Sequence, residues 1–254
     1  KKSKLLETRK MRYPDVKDAT VVNLALSERL TEFPERFYNS GQQSAMDMIS
    51  LMRDIQGGNH PLFEKGTKTD LFAYSISCMM LQTLMIINPD DLLSNSRIVF
   101  FAGGSIFSHL QGVSRYIMDS VAFDAMKKFY INVFGENENK TGTFRHMVPD
   151  SAYGRAFKAV IAPDLFRNVR EKALAFFADR LMLITLRNDR IIPLNGIRQA
   201  MGNKFFHSRN CRIVHFPYDY SHENPFPVLY DHLDQAVEKA FHSVYDPART
   251  FFTP

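Results

Sequence analysis

Two cysteines, Cys78 and Cys211, are all that 254 residues contain, too few for a disulfide framework. That excludes a small stapled secreted domain, and a reducing cytoplasm is the expected compartment. No apolar run is long enough to cross a bilayer, and no low-complexity tract interrupts the chain. The formal charge of +5 comes with no zinc-finger spacing and no RNA-recognition signature, so no nucleic-acid partner is expected. Lysines and arginines are scattered among acids, except in the runs 1–4 and Arg9 to Arg12, and read as a solvated surface. At most the basic bias favours an anionic substrate. His207, His232 and His242 lack accompanying ligands, so neither a metal nor a cofactor is expected, and His60 and His146 read as loop residues.

With 45% hydrophobic residues, the chain can bury the core of one α/β domain. Its most informative stretch runs from Asp70 to Leu81, where a short apolar strand meets Ser75 and passes directly into an apolar helix. Ala73 and Ser77 lie two positions either side of that serine, a degenerate G-x-S-x-G. A sharp strand-to-helix turn crowds the backbone, and small flanking residues are what it requires. The same residues also fit a plain helix N-cap at Ser75.

Further on, the apolar run Leu181 to Leu186 predicts a buried strand ending in Asn188-Asp189, with Pro193 just before the next helix. Cys211 to Phe216 predicts another, followed by a turn-like segment and His222. Ser75, Asp189 and His222 thus each follow the carboxyl end of a strand. In a parallel sheet those ends share one edge, where ligands bind. His215 falls within the strand, where a packed histidine is expected. Asp219 is the second choice of acid, and its closeness to His222 suits a brace for that loop.

At these residues the chain resembles the α/β-hydrolase superfamily, whose triad follows the order serine, acid, histidine. Asp189-Arg-Ile-Ile-Pro193 matches the acid-loop pattern, with the histidine one helix and one strand later. More narrowly, residues 23–30, 34–37, 40–42, 74–76 and Asn88-Pro89 are similar to a bacterial family of unknown function within that superfamily. This narrower resemblance covers about 19 to 130, and the triad extends it to about 226. Where that family commonly has glycine, this chain has Ser77, which is still small.

Residues 19–56 read as helices, with Ala45, Met48, Ile49, Met52 and Ile55 at helical spacing until Gly57-Gly58. The helix after Ser75 is expected to stop at Asn88-Pro89, before a buried strand from Arg97 to Ala102. Gly103-Gly104-Ser105 then lets backbone pass close to the site. The connection to Leu181 is too long for a simple crossover. It holds apolar helical stretches at 113–134 and 151–178 around the polar segment 135–142. The resemblance implies a helical cap there, assigned to 107–178, with Phe129, Tyr130, Phe134, Phe157 and Phe166 lining an apolar pocket or packing the cap's own core. Residues 227–245, including Leu229 and Leu233, predict an amphipathic helix covering the sheet.

The expected fold is therefore one α/β-hydrolase-like domain over 1–254, with a mainly parallel sheet and a helical cap. Its amino-terminal strands are expected to be missing, since residues 1–69 hold no convincing βαβ unit and no His-Gly loop for a second oxyanion donor. An edge at the Ser75 strand then needs a cover, from an amino-terminal segment or a second chain. The resemblance implies acyl transfer on a small carbonyl substrate: an ester, thioester or amide. Ser75 is the nucleophile, His222 the base, Asp189 its orienting acid and the Ile76 backbone N–H an oxyanion donor. The alternatives are a noncatalytic protein of the same fold binding a small apolar ligand, and an ordinary α/β interaction domain.

Overall fold

The computed structural model describes residues 2–17, 19–132, 148, 150–162, 166–228 and 234–253. Phe134, the polar segment 135–142, His146, Leu229, His232 and Leu233 lie outside them.

Three helices come first: α1 (Lys2–Arg12), α2 (Val21–Glu32) and α3 (Arg36–Gly57). Thr20 opens α2 by accepting the Asn23 N–H, and Gly58 closes α3 in the left-handed region at φ 79°. Strand β1 (Leu71–Tyr74) then leads through Ser75 into α4 (Ser77–Ile87). Asn88, also left-handed at φ 31°, ends α4 immediately before Pro89. After β2 (Ile98–Phe101) come α5 (Ser120–Lys127), α6 (Ala152–Ile161) and α7 (Arg167–Phe177). The chain continues through β3 (Leu181–Leu186), α8 (Leu194–Met201), β4 (Cys211–Val214) and α9 (Asp234–Phe252).

The four strands form one parallel sheet in the order β1-β2-β3-β4. Both faces of its centre are covered, so every residue of β2 and β3 is buried, as parallel strands require. Alternation along β2 sorts its side chains between two cores. Ile98 and Phe100 face α4 and the helices packed with it, whereas Val99 and Phe101 join Ile184, Phe216 and Val244 of α9. Tyr74, Phe101 and Ile184 stand side by side in the register, and Leu186 stands beside Val214. The loops after all four strands therefore leave from one edge. Among the described residues β1 pairs with β2 alone, and Phe72 on it is 39% exposed.

Several expected boundaries move. Between 113 and 134 the described α-helix is confined to Ser120–Lys127, followed by a wider-wound turn at Lys128–Asn132. Asp119 caps α5 by accepting the Ala122 N–H, while Val113 to Met118 folds into a narrow loop closed by Ser114 N–H to Met118 O at 3.1 Å. The Arg115 carbonyl in that loop accepts the Asn23 side chain at 2.9 Å, which ties it to α2. The last helix lies later than expected, reaching Phe252 past Pro247. No helix among the described residues is long and apolar enough to cross a membrane.

Candidate active site

Ser75 adopts φ 58°, the left-handed region that costs a non-glycine residue about 1 kcal/mol or more. Its backbone is held from both sides: the N–H donates to Phe101 O at 3.0 Å, and its carbonyl accepts from Cys78 N–H at 3.1 Å. Ser77 contributes more than smallness. Its hydroxyl donates to Tyr74 O at 2.6 Å and accepts from Tyr74 N–H at 2.9 Å, clamping the strand end that a glycine would leave free. Ser75 does not cap α4, since Ile76 holds the N-cap position without a side-chain bond. The N-cap reading of Ser75 is therefore set aside.

Gly103 passes directly behind this turn. A Cβ there would lie 2.3 Å from Cys78 Sγ and 2.7 Å from Ser75 O. Cys78 is fully buried, and burial pushes its thiol well above the ordinary range, so it acts as a small apolar filler. Because the atoms in the way include backbone, Gly103→Ala is expected to lower the urea midpoint by the equivalent of about 2–3 kcal/mol. An unchanged midpoint would show that the turn yields freely.

The Ser75 hydroxyl lies 2.5 Å from His222 Nε2, and His222 Nδ1 lies 2.8 Å from Asp189 Oδ2. An ionised carboxylate only accepts, so Nδ1 carries the ring proton and Nε2 accepts from Ser75. Asp189 is fixed by its second oxygen, which accepts the N–H groups of Ile191 at 2.8 Å and Ile192 at 2.9 Å. His222 and Asp189 are both buried, and Ser75 is partly exposed.

Tyr74 supports the histidine in two ways. Its ring stacks on the imidazole with centroids 5.6 Å apart, and its hydroxyl donates to the His222 carbonyl. Burial, helped by the negative charges of Asp189 and Glu223, pushes this phenol up to about 12, so it remains a donor. His215 is not packed in β4. It is exposed just past the strand end, 3.3 Å from the Tyr220 hydroxyl. Asp219 is also exposed, with no side-chain hydrogen bond among the described residues. Tyr218 and Tyr220 brace the loop instead, through Pro225 O at 3.0 Å and Asn188 N–H at 3.3 Å.

A cavity of about 570 Å³ adjoins Ser75, walled chiefly by Leu30, Phe37, Phe107, Phe123, Met126 and Ile192. Arg29, Arg36, Asn39 and Ser40 are polar residues that also border it. Ile76 also lines it; that residue's backbone N–H has no hydrogen-bond partner among the described residues. Of the two expectations for the aromatic residues, Phe129, Tyr130 and Phe157 follow the second and pack in the core, and the cavity is lined by Phe37, Phe107 and Phe123 instead. Tyr130 is buried behind Phe37 and Phe107, donating to Pro34 O at 2.8 Å, while Phe157 borders a separate smaller hollow. Sequence reasoning missed the contribution of α2 and the start of α3. A second cleft of about 670 Å³, more polar than the first though still partly walled by apolar surface, also reaches Ser75, lined by Tyr74, Tyr116, Ile117, Ser221, His222, Glu223 and Asn224. Among the described residues no group of three or more His, Cys, Asp or Glu side chains could hold a metal ion.

No curated protein matches the chain. Among solved structures it is similar to the crystal structure of Paleococcus ferrophilus monoacylglycerol lipase, at 14% identity and a TM-score of 0.37, over 79% of this chain and 74% of that one. The sequence also matches, across residues 2–253, the family described as a family of unknown function (DUF6051), and the chain belongs to that family.

Proposed function

We propose that this chain is a serine hydrolase of the α/β-hydrolase type, cleaving an ester, thioester or amide through an acyl-enzyme. The observation that carries the reading is the series Ser75, His222, Asp189, joined at 2.5 and 2.8 Å on a serine held at strained φ. Strain of this kind persists where the surroundings enforce it, and it clusters at functional sites. His222 takes the Ser75 proton as Oγ attacks the carbonyl carbon, then delivers it to the leaving group; Asp189 holds the tautomer and stabilises the imidazolium. The Ile76 N–H faces no competing acceptor among the described residues and serves as one oxyanion donor. Of the segment 107–178 expected as the cap, the part 107–126 covers the acyl cavity together with α2, whereas α6 and α7 pack against α4.

The test is a serine-directed alkyl phosphonate followed by intact-mass and peptide mass spectrometry. One adduct on Ser75 is expected, absent in Ser75→Ala. The cavity also favours a second reading, a noncatalytic protein holding a small apolar ligand there. Absence of a Ser75 adduct with phosphonates of several chain lengths, alongside saturable binding of a fatty acid, would move the assignment to that reading.

A further inference from the structure

The two hollows that meet at Ser75 differ in chemistry. Ser75 and Ile117 belong to both, but His222 lines only the more polar cleft. This difference decides which part of a substrate goes where. The histidine that removes the serine proton must return it to the departing atom, so the leaving group lies on the histidine's side.

We propose that the substrate's apolar acyl chain occupies the cavity under α2 and α5. Its alcohol or amine leaving group occupies the cleft beside His222, where Glu223 selects uncharged hydroxyl-bearing or cationic groups over anionic ones. The inference rests on the hydrolase reading above. In the step itself, Ser75 Oγ bonds to the carbonyl carbon and its proton passes to Nε2. The bond to the leaving oxygen or nitrogen then breaks, and that atom keeps the electron pair. It takes the proton from Nε2 and departs through the cleft, while the acyl chain stays on Ser75. Water then enters by the vacated cleft and repeats the sequence.

Glu223 gives the cleft its sign. It is half-buried, and among the described residues no lysine or arginine lines the same wall. Burial pushes its carboxyl up, but hydrogen bonds with Ser114 and Ser221 hold it below its usual range. It is therefore anionic at neutral pH. A fixed negative charge in a part-buried cleft disfavours a like charge by tenfold or more at roughly the effective dielectric of such sites. Tyr116, Ser221 and Asn224 supply hydroxyl and amide groups for a neutral polar partner.

The experiment uses three aryl octanoates that differ only at the para position: sulfonate, acetyl and trimethylammonium. All three deposit the same octanoyl group on Ser75, so differences in kcat/KM report the leaving-group side once normalised to each ester's hydroxide-catalysed rate. The normalised value is expected to be about tenfold or more higher for the cationic than for the anionic ester. Glu223→Gln should remove most of that ratio, and Glu223→Lys should invert it. Asn224→Asp adds a second charge at an exposed position and should raise the ratio severalfold, which keeps the test open if a Glu223 variant does not fold. Ser75-dependent turnover with one ratio across all variants overturns the cleft assignment and leaves the hydrolase reading standing. No Ser75-dependent turnover of any ester overturns both.

Discussion

Ser75→Ala is expected to lower kcat/KM on an aryl octanoate by roughly 10⁴- to 10⁶-fold, with the fold and melting temperature unchanged. His222→Ala should lose nearly as much, and the double variant no more than either alone, because nucleophile and base act as one unit. Asp189→Asn should be the mildest of the three and still severe. The reason lies in the acid loop. One Asp189 oxygen accepts two backbone N–H groups, from Ile191 and Ile192. An asparagine would place its carbonyl oxygen there and turn its NH₂ toward His222 Nδ1. That donor forces the ring proton onto Nε2, the nitrogen that has to accept from Ser75, so the wrong tautomer predominates. Steady-state kinetics on the three variants checks this, and a Ser75→Ala protein within tenfold of the parent sinks the mechanism.

Much of the sheet could be read in advance because its strands are short apolar runs followed by turn residues. Leu181 to Leu186 is apolar except for Thr185, and a strand buried on both faces needs that composition. The small residues around Ser75 were legible for the same physical reason, since crowding at the turn leaves few choices. The role of Ser77 was not. A residue noted for lacking bulk uses its hydroxyl to hold both polar groups of Tyr74, which no spacing rule encodes. The cavity wall was missed because α2 carries apolar residues all round. Leu24 and Leu30 are buried, while Val22 and Leu26 are exposed, so periodicity alone gives it no inward face.

Arg9 shows the limit most clearly. It sits in a basic run that reads as solvated surface, yet it is 1% exposed. Its guanidinium donates to both oxygens of Asp119, to Glu28 at 2.6 Å and to Thr31 at 2.9 Å. The partner that justifies this burial lies 110 residues away, out of reach of any local pattern. Through these bonds α1 fastens α2 and α5, the two helices that carry Leu30, Phe123 and Met126 over the cavity.

Breaking that tie is expected to give the largest loss of stability. Asp119→Asn keeps an N-cap side chain for α5, because asparagine caps as well as aspartate, and removes the charge together with the acceptor oxygen that faces Arg9 Nε. The Arg9 cation then keeps Glu28 alone as its counter-ion, and the change should cost about 3–5 kcal/mol at neutral pH. Replacing the buried cation as well, in Arg9→Met/Asp119→Asn, should recover part of the loss, since no unpaired charge remains inside. The pH dependence follows from Asp119. Burial alone would push its carboxyl up, but hydrogen bonds from Arg9, the Ala122 N–H and Ser27 hold it below the ordinary value. A depressed folded-state value means the contribution is complete above the unfolded aspartate range. It disappears as pH falls through the folded value. Urea midpoints measured from pH 7 down through pH 3 should therefore converge for the parent and Asp119→Asn. A gap that persists at the acid end would show that Asp119 acts through its shape and not through its charge.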